Sequence, residues 1–283
     1  MIEWLTTPFA YSFMQRGLLA STMVGILCAI VGCYVVLRSM AFLGDAMAHA
    51  ILPGVAIAYL FKGDLIIGAL IAAIAIALGI GFFTRQGAIK EDTAIGILFA
   101  AALSLGVVLI STIKTYAVDL THIMFGNVLG VGENDVWITG ILGLIVIGTI
   151  IAFYKEFLVI SFDPVLAATI RLPVTRLTNL LLVLMALTIV VSMQTVGVGL
   201  VAAMLVTPAA TAYLLTRRLA IMMVIASLIG AFSSIAGLYL SFYINVASGA
   251  AIVLTATVIF LITFLFAPAR GLVWQAIRHR RSA

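Results

Sequence analysis

The chain has 283 residues, of which 65% are hydrophobic and 9% are charged, and its formal net charge is +5. Soluble domains have roughly 45–50% apolar and about 25% charged residues, so this composition excludes an ordinary soluble protein. A transmembrane β-barrel is excluded as well, because barrels use alternating segments of about ten residues, whereas these apolar runs are long and continuous. The composition therefore predicts an all-α fold, a polytopic transmembrane helical bundle.

The apolar runs predict about nine membrane spans, or eight if two runs form one broken element. Each run approaches the roughly 20 residues that cross a bilayer. No charged stretch is long enough for a soluble domain, so residues 1–283 are predicted to form a single transmembrane domain. In chain order the predicted spans are 17–37, 41–60, 65–83, 94–113, 136–154, 178–193, 198–216, 219–243 and 249–267.

The N-terminal part of the chain contains few sequence features that indicate structure or function beyond its hydrophobicity. Residues 1–16 are rich in aromatic side chains and are predicted to be an interfacial helix, with a frayed terminus as the alternative. They lack a basic region followed by a small-residue cleavage site, so we expect no cleaved signal peptide. Cys28 and Cys33 do not share a helical face, and we expect both to be buried without a disulfide or a metal.

Asp45 is the carboxylate that falls inside a predicted span. An ionised carboxylate at membrane depth costs at least about 2.5 kcal/mol, so we expect this buried group to have a partner. His49 follows four residues later, which puts both side chains on one helical face. An imidazole with a carboxylate suits manganese, iron(II) or zinc, whereas copper(I) prefers sulfur and calcium prefers oxygen ligands only. A structural hydrogen bond between helices is the alternative, but the location favours a metal pathway site.

Pro53 supports an irregular helix next to this pair. A proline removes the hydrogen bond to the residue four positions earlier, which here is the carbonyl of His49. We expect that carbonyl to be available as a third oxygen ligand or to bind water. Small residues around the pair, such as Gly44 and Gly54, leave room for another helix to approach.

Two other stretches contain secondary candidates for the pathway. Asp119 and His122 lie in the break 114–135, which could receive a cation or present an acidic dock, although a solvated loop is the ordinary interpretation. Gln194, Met204 and Thr207 surround Gly197, Gly199 and Pro208. Pro208 frees the Met204 carbonyl, so this stretch either lines a cavity or is a kinked span repaired by neighbouring hydroxyls.

The break 155–177 is predicted to contain one short helix. Asp163 is a helix N-cap followed by Pro164 at the first helical position, and Pro173 ends the segment. Such a helix between two spans is suited either to docking another protein or to lying on the headgroups as a linker.

The basic residues indicate how the chain is oriented in the membrane. If the breaks after the odd-numbered spans and the tail 268–283 face the cytoplasm, that side holds 12 of the 15 lysines and arginines. With nine spans the N-terminus lies outside the cell. With eight spans the N-terminus alone would change sides, and the other breaks would keep theirs. The excess positive charge is thus a topology signal rather than a sign of nucleic-acid binding.

Six stretches resemble the membrane subunits of ATP-binding-cassette (ABC) importers for manganese, zinc or iron, and most closely the manganese-importing branch. They extend along essentially the whole chain, and their matching order makes the resemblance specific. The stretches are VLR at 36–38, GDAMAHAILPGVA at 44–56, EDTAIGI at 91–97, HIMFGN at 122–127, LVTPAATA at 205–212 and SGAAIVL at 248–254.

The resemblance implies a permease in the bacterial inner membrane that works as a homodimer or a closely related pair. It further implies two cytoplasmic ATPase subunits and an extracytoplasmic metal-binding protein. By the same resemblance, Asp45 and His49 are metal-coordinating residues, and Asp163, Pro164 and Pro173 belong to the coupling helix that contacts the ATPase. The cargo is a divalent metal, and no intrinsic cofactor is implied.

The residues themselves leave competing functions to compare. No Gly-x-x-x-x-Gly-Lys-Ser/Thr loop is present, so the chain is predicted to have no ATPase site of this kind, and it is not expected to be an enzyme. A self-sufficient cation channel or proton-coupled metal carrier is the alternative to an ATP-driven importer. An intramembrane metalloenzyme is the weakest hypothesis, because no nucleophile or second intramembrane carboxylate is present.

Overall fold

The computed structural model describes residues 10–85, 89–112 and 128–267, apart from the side chains of residue 129, residues 194–196 and residues 198–199. The described chain is helical, as predicted. The helices are α1 Ser12–Leu37, α2 Leu43–Ala50, α3 Leu52–Leu60, α4 Leu65–Thr84, α5 Glu91–Ser111, α6 Glu133–Ala152, α7 Tyr154–Phe162, α8 Pro164–Thr169, α9 Val174–Val196, α10 Val198–Leu215, α11 Leu219–Ile244 and α12 Ser248–Phe266.

The helices match the predicted spans in number and order. Eight stretches are long and apolar enough to cross a membrane, with α2 and α3 together forming Leu43–Leu60. The remaining run is the shorter apolar helix Leu200–Leu215, within α10. The all-α transmembrane bundle is therefore confirmed, and the single run predicted as the second span consists of two helices, α2 and α3.

Helix α1 lies at the centre of the bundle and packs against α6, α9, α10 and α11. Glycines permit the closest of these approaches. A methyl group at Gly32 would overlap the backbone carbonyl of Leu205 on α10, and one at Gly25 would overlap the carbonyl of Gly230 on α11. Since lipid offers little hydrophobic driving force between helices, close packing at small residues is what holds such a bundle together. Cys28 and Cys33 are buried in this core as free thiols.

The chain departs from the prediction at two helix boundaries. Helix α1 begins at Ser12, so residues 12–16 continue the first span helix rather than preceding it. The break 155–177 contains α7 as well as the predicted short helix α8. The face of α7 with Phe157 and Ile160 is buried, and α7 follows α6 after one residue of interruption.

Candidate functional site

Asp45 and His49 lie on one face of α2, one helical turn apart, as their spacing predicted. The imidazole Nδ1 of His49 is 3.0 Å from the backbone carbonyl oxygen of Asp45 and 3.7 Å from its carboxylate Oδ1. Because a carbonyl can only accept, this geometry assigns the proton of the neutral ring to Nδ1. The Nε2 lone pair and the Asp45 carboxylate are then left as donors for a cation.

The pair is not buried within the single chain, which corrects the expectation from the sequence. The Asp45 side chain is 47% exposed and that of His49 is 26% exposed. The opposite face of α2, with Ala46, Met47 and Ala50, is buried in the core. An unpaired carboxylate in that core would be costly, so α2 is oriented with its polar face towards the open side of the chain.

The predicted irregularity at Pro53 is present. Helix α2 ends at Ala50 and α3 begins at Leu52, with Pro53 in its first turn. Pro53 has no N–H group to donate to the carbonyl of His49. The backbone N–H of Ile51 donates to that carbonyl instead. The carbonyl is thus not free of hydrogen bonds, but its second lone pair remains, so its role as a third oxygen ligand stays a prediction.

Phe99 on α5 contacts the candidate site and was not singled out from the sequence. Its ring meets the His49 ring edge to face at a centroid distance of 6.2 Å, and it meets Phe42 in the same way at 5.8 Å. Phe99 thus limits how the imidazole can rotate. One phenylalanine in an apolar span carries no distinguishing sequence signal, because only the packing of α5 on α2 brings it to the histidine.

Helix α10 supports α2 from the core side. Gly44 lies against Ala202 and Leu205 of α10, in ordinary van der Waals contact distance for a methyl group. Met204 is 1% exposed and lies in the core, whereas Thr207 is half-buried. The helix continues through Pro208, and the Thr211 hydroxyl donates to the Thr207 carbonyl over 2.7 Å.

The remaining candidates are Gln194, of which the backbone is described, and two residues that are not described. Gln194 occupies the last turn of α9, just before Gly197, whose φ of 85° separates α9 from α10. Asp119 and His122 lie outside the described residues. Within the described ranges, no group of three or more histidine, cysteine, aspartate or glutamate residues could hold a metal ion. Among the residues that the structure describes, one copy of the chain therefore brings two side-chain donors, Asp45 and His49, to this site.

The short helix α8 begins where the sequence predicted, and it ends at Thr169, before the predicted stop at Pro173. The Asp163 carboxylate accepts hydrogen bonds from the backbone N–H groups of Val165 and Leu166, both at 2.9 Å, and Pro164 is the first helical residue. Pro173 precedes α9 as its N-cap residue. The surface of this segment, here called the α8 patch, has exposed large apolar side chains at Phe162, Val165, Leu166 and Ile170. Such a patch is typical of a protein contact.

Comparison with known proteins gives consistent matches over nearly the entire chain. The family model described as ABC 3 transport family matches residues 10–267. The manganese transport system membrane protein MntC of Listeria monocytogenes is 53% identical over 268 residues, which is 95% of each chain. A probable iron transport system membrane protein of Haemophilus influenzae is 40% identical over 270 residues, covering 95% of this chain and 99% of its own.

Among solved structures, PsaBC from Streptococcus pneumoniae in complex with Fab matches with a TM-score of 0.85 and 40% identity. The match covers 99% of this chain and 100% of that one.

Proposed function

The chain belongs to the ABC 3 transport family, and we propose that it is the permease subunit of an importer that carries manganese into the cytoplasm. Zinc and iron(II) are the other candidate cargoes, since the relatives include a probable iron transport protein and one carboxylate with one imidazole suits all three ions. The chain is a multi-pass membrane protein of a bacterial transporter, and its role there is to form the path for the ion.

The pair Asp45 and His49 is the single observation that carries the proposal. It combines a carboxylate and an imidazole on the open face of a helix in the first half of a membrane span, where charged groups are rare unless they bind or conduct something. The cation offsets the desolvation of Asp45, and His49 Nε2 provides the nitrogen ligand. Water or a second copy of the chain completes the coordination.

The partners follow from the family and from the exposed surfaces. An ABC importer takes its energy from cytoplasmic ATPase subunits, and the α8 patch is the surface proposed to receive one. A second permease copy is proposed to face the open side of α2, so that two Asp45–His49 pairs line a shared central pathway. An extracytoplasmic metal-binding protein delivers the ion to the opposite end.

The proposed orientation places the C-terminus and the α8 patch in the cytoplasm, in the bacterial inner membrane. The patch lies at the end of the bundle that also carries Arg38, Arg85, Arg217 and Arg218. Positive charge next to spans is retained on the cytoplasmic side, which supports this assignment.

Reconstitution of the permease with its ATPase in liposomes tests the proposal. We expect ATP-dependent uptake of radioactive manganese, and loss of that uptake in Asp45→Ala and in His49→Ala with assembly unchanged. Asp64→Asn is the matched control, because it removes a carboxylate charge while asparagine keeps the N-cap of α4. Flux without ATP would favour the self-sufficient carrier instead, and normal uptake by either site variant would exclude the proposed site.

A further inference from the structure

An apolar groove of about 440 Å³ lies between α6 and α11, with α1 contributing Ile26 and Ile30. Both α6 and α11 pack against α1, and the groove is the space left between them. Two lining residues carry hydroxyls, Tyr154 at one end of the groove and Ser227 near its middle. The Ser227 hydroxyl donates to the Met223 carbonyl over 2.7 Å and is therefore already satisfied. The lining suits hydrocarbon and offers little to a polar ligand.

The dimensions of the groove match one leaflet of the bilayer. Along α11 it extends from Ala220 to Ala231, which at 1.5 Å per residue corresponds to about 16 Å. This is about half of the roughly 30 Å hydrocarbon core of a membrane. The groove therefore has the length of a single acyl chain that begins at one membrane surface and ends near the middle.

Basic side chains lie at the surface end of the groove. Tyr154 and Ala220 mark this end of the lining. Lys155 follows Tyr154 directly and Arg218 precedes Ala220 by two residues, and both are exposed. Neither has an ion pair among the described residues. Glu156 contributes one negative charge nearby, which leaves the local charge positive. Tyrosine with lysine and arginine is a typical combination at the headgroup level.

We propose that this groove is a binding site for an anionic phospholipid, with one acyl chain between α6 and α11 and the headgroup phosphate bound by Lys155 and Arg218. Anionic lipids are attracted to such basic residues next to a membrane span. The lipid is a resident component rather than cargo. The groove is lined by α1, α6, α7 and α11, whereas α2 with Asp45 and His49 packs against α4, α5, α9 and α10.

The site is tested by native mass spectrometry of the purified permease–ATPase complex, using phosphatidylglycerol and phosphatidylcholine with identical acyl chains as probes. We expect preferential retention of phosphatidylglycerol. Each of Lys155→Gln and Arg218→Gln should lower that preference about fivefold, the equivalent of about 1 kcal/mol per basic residue. Arg85→Gln, an exposed arginine at the same end of the bundle, is the matched control and should leave it unchanged.

A separate variant tests whether an acyl chain occupies the groove. Ser227→Phe fills the middle of the groove and should abolish retention of both lipids, whereas Ile235→Phe, on the exposed surface of α11 outside the lining, should not. Equal retention by Ser227→Phe and Ile235→Phe would overturn the proposal, as would equal retention of the two lipids by the unmodified protein. An empty groove, or one filled by another protein chain of the complex, also overturns it. If Ser227→Phe does not assemble, the two charge variants decide the outcome.

Discussion

Arg38, at the C-terminal end of α1, forms an ion pair with Glu91 in the first turn of α5. The arginine side chain is only 8% exposed, and the glutamate is 28% exposed. This contact joins the central helix of the bundle to the helix that brings Phe99 to His49. It therefore connects the packing of the core to the geometry of the candidate metal site.

Breaking this ion pair should destabilise the permease. Glu91→Gln leaves the Arg38 charge buried without a counter-charge, at an expected loss of about 3 kcal/mol. Thermal unfolding in detergent measures the loss. The double variant Arg38→Gln/Glu91→Gln should recover much of it, since no uncompensated charge is left. If the single and double variants unfold at the same temperature, the contact does not hold the two helices together.

Removing the Phe99 ring should weaken metal binding without removing a ligand. Phe99→Ala frees the His49 imidazole to adopt other rotamers, and groups that orient metal ligands typically contribute about 10–100-fold in affinity. Manganese binding to the purified complex should therefore weaken by at least about tenfold. Leu105→Ala, also on α5 but on its exposed surface, is the control. Equal affinities in the two variants would show that Phe99 only fills space.

The N-cap of α8 should be needed for coupling to the ATPase. Asp163→Ala removes both hydrogen bonds to the first turn, a loss of about 0.5–2 kcal/mol for a short helix. We expect stimulated ATP hydrolysis and metal uptake to fall together. Asp163→Asn keeps the cap and should retain both activities. A fall of the same size with asparagine would assign the effect to the charge.

Direct disruption of the α8 patch separates docking from folding. Val165 is 74% exposed, so Val165→Asp should leave the unfolding temperature unchanged. A buried charge in the contact with the ATPase should instead prevent the two subunits from purifying together. Val224→Asp is not a suitable control, because Val224 lines the lipid groove. Thr93→Asp, at an exposed position in the first turn of α5 at the same end of the bundle, is suitable, and it should leave assembly intact.

Gly32 should tolerate no side chain. A methyl group there overlaps the Leu205 carbonyl and must push α10 away from α1, so Gly32→Ala should cost about 1–3 kcal/mol or more. Gly148→Ala is the matched control, since nothing lies within 4 Å of the added methyl group. That helical substitution should be neutral or stabilise by about 0.5–1 kcal/mol. Similar unfolding temperatures for the two variants would contradict the packing argument.

Much of the architecture is determined by the sequence alone. Apolar runs of span length in a nearly uncharged chain leave helices as the only consistent fold, and the Asp163-Pro164 pair predicts the start of α8 to the residue. The spacing of Asp45 and His49 places both on one helical face, because an α-helix has 3.6 residues per turn. These features depend on local periodicity and composition, which a single sequence contains.

Tertiary structure decided which side chains of different helices contact one another and which face of a helix remains open. Periodicity put Asp45 and His49 together, but only the packing of α2 on α5 and α10 showed that their face is the open one and that Phe99 contacts the imidazole. The pairing of Arg38 with Glu91 and the groove between α6 and α11 also require residues far apart in the chain. In a bundle that is apolar on every side, the hydrophobic pattern cannot say which face of a helix meets a neighbour, so close contacts between particular side chains make that choice.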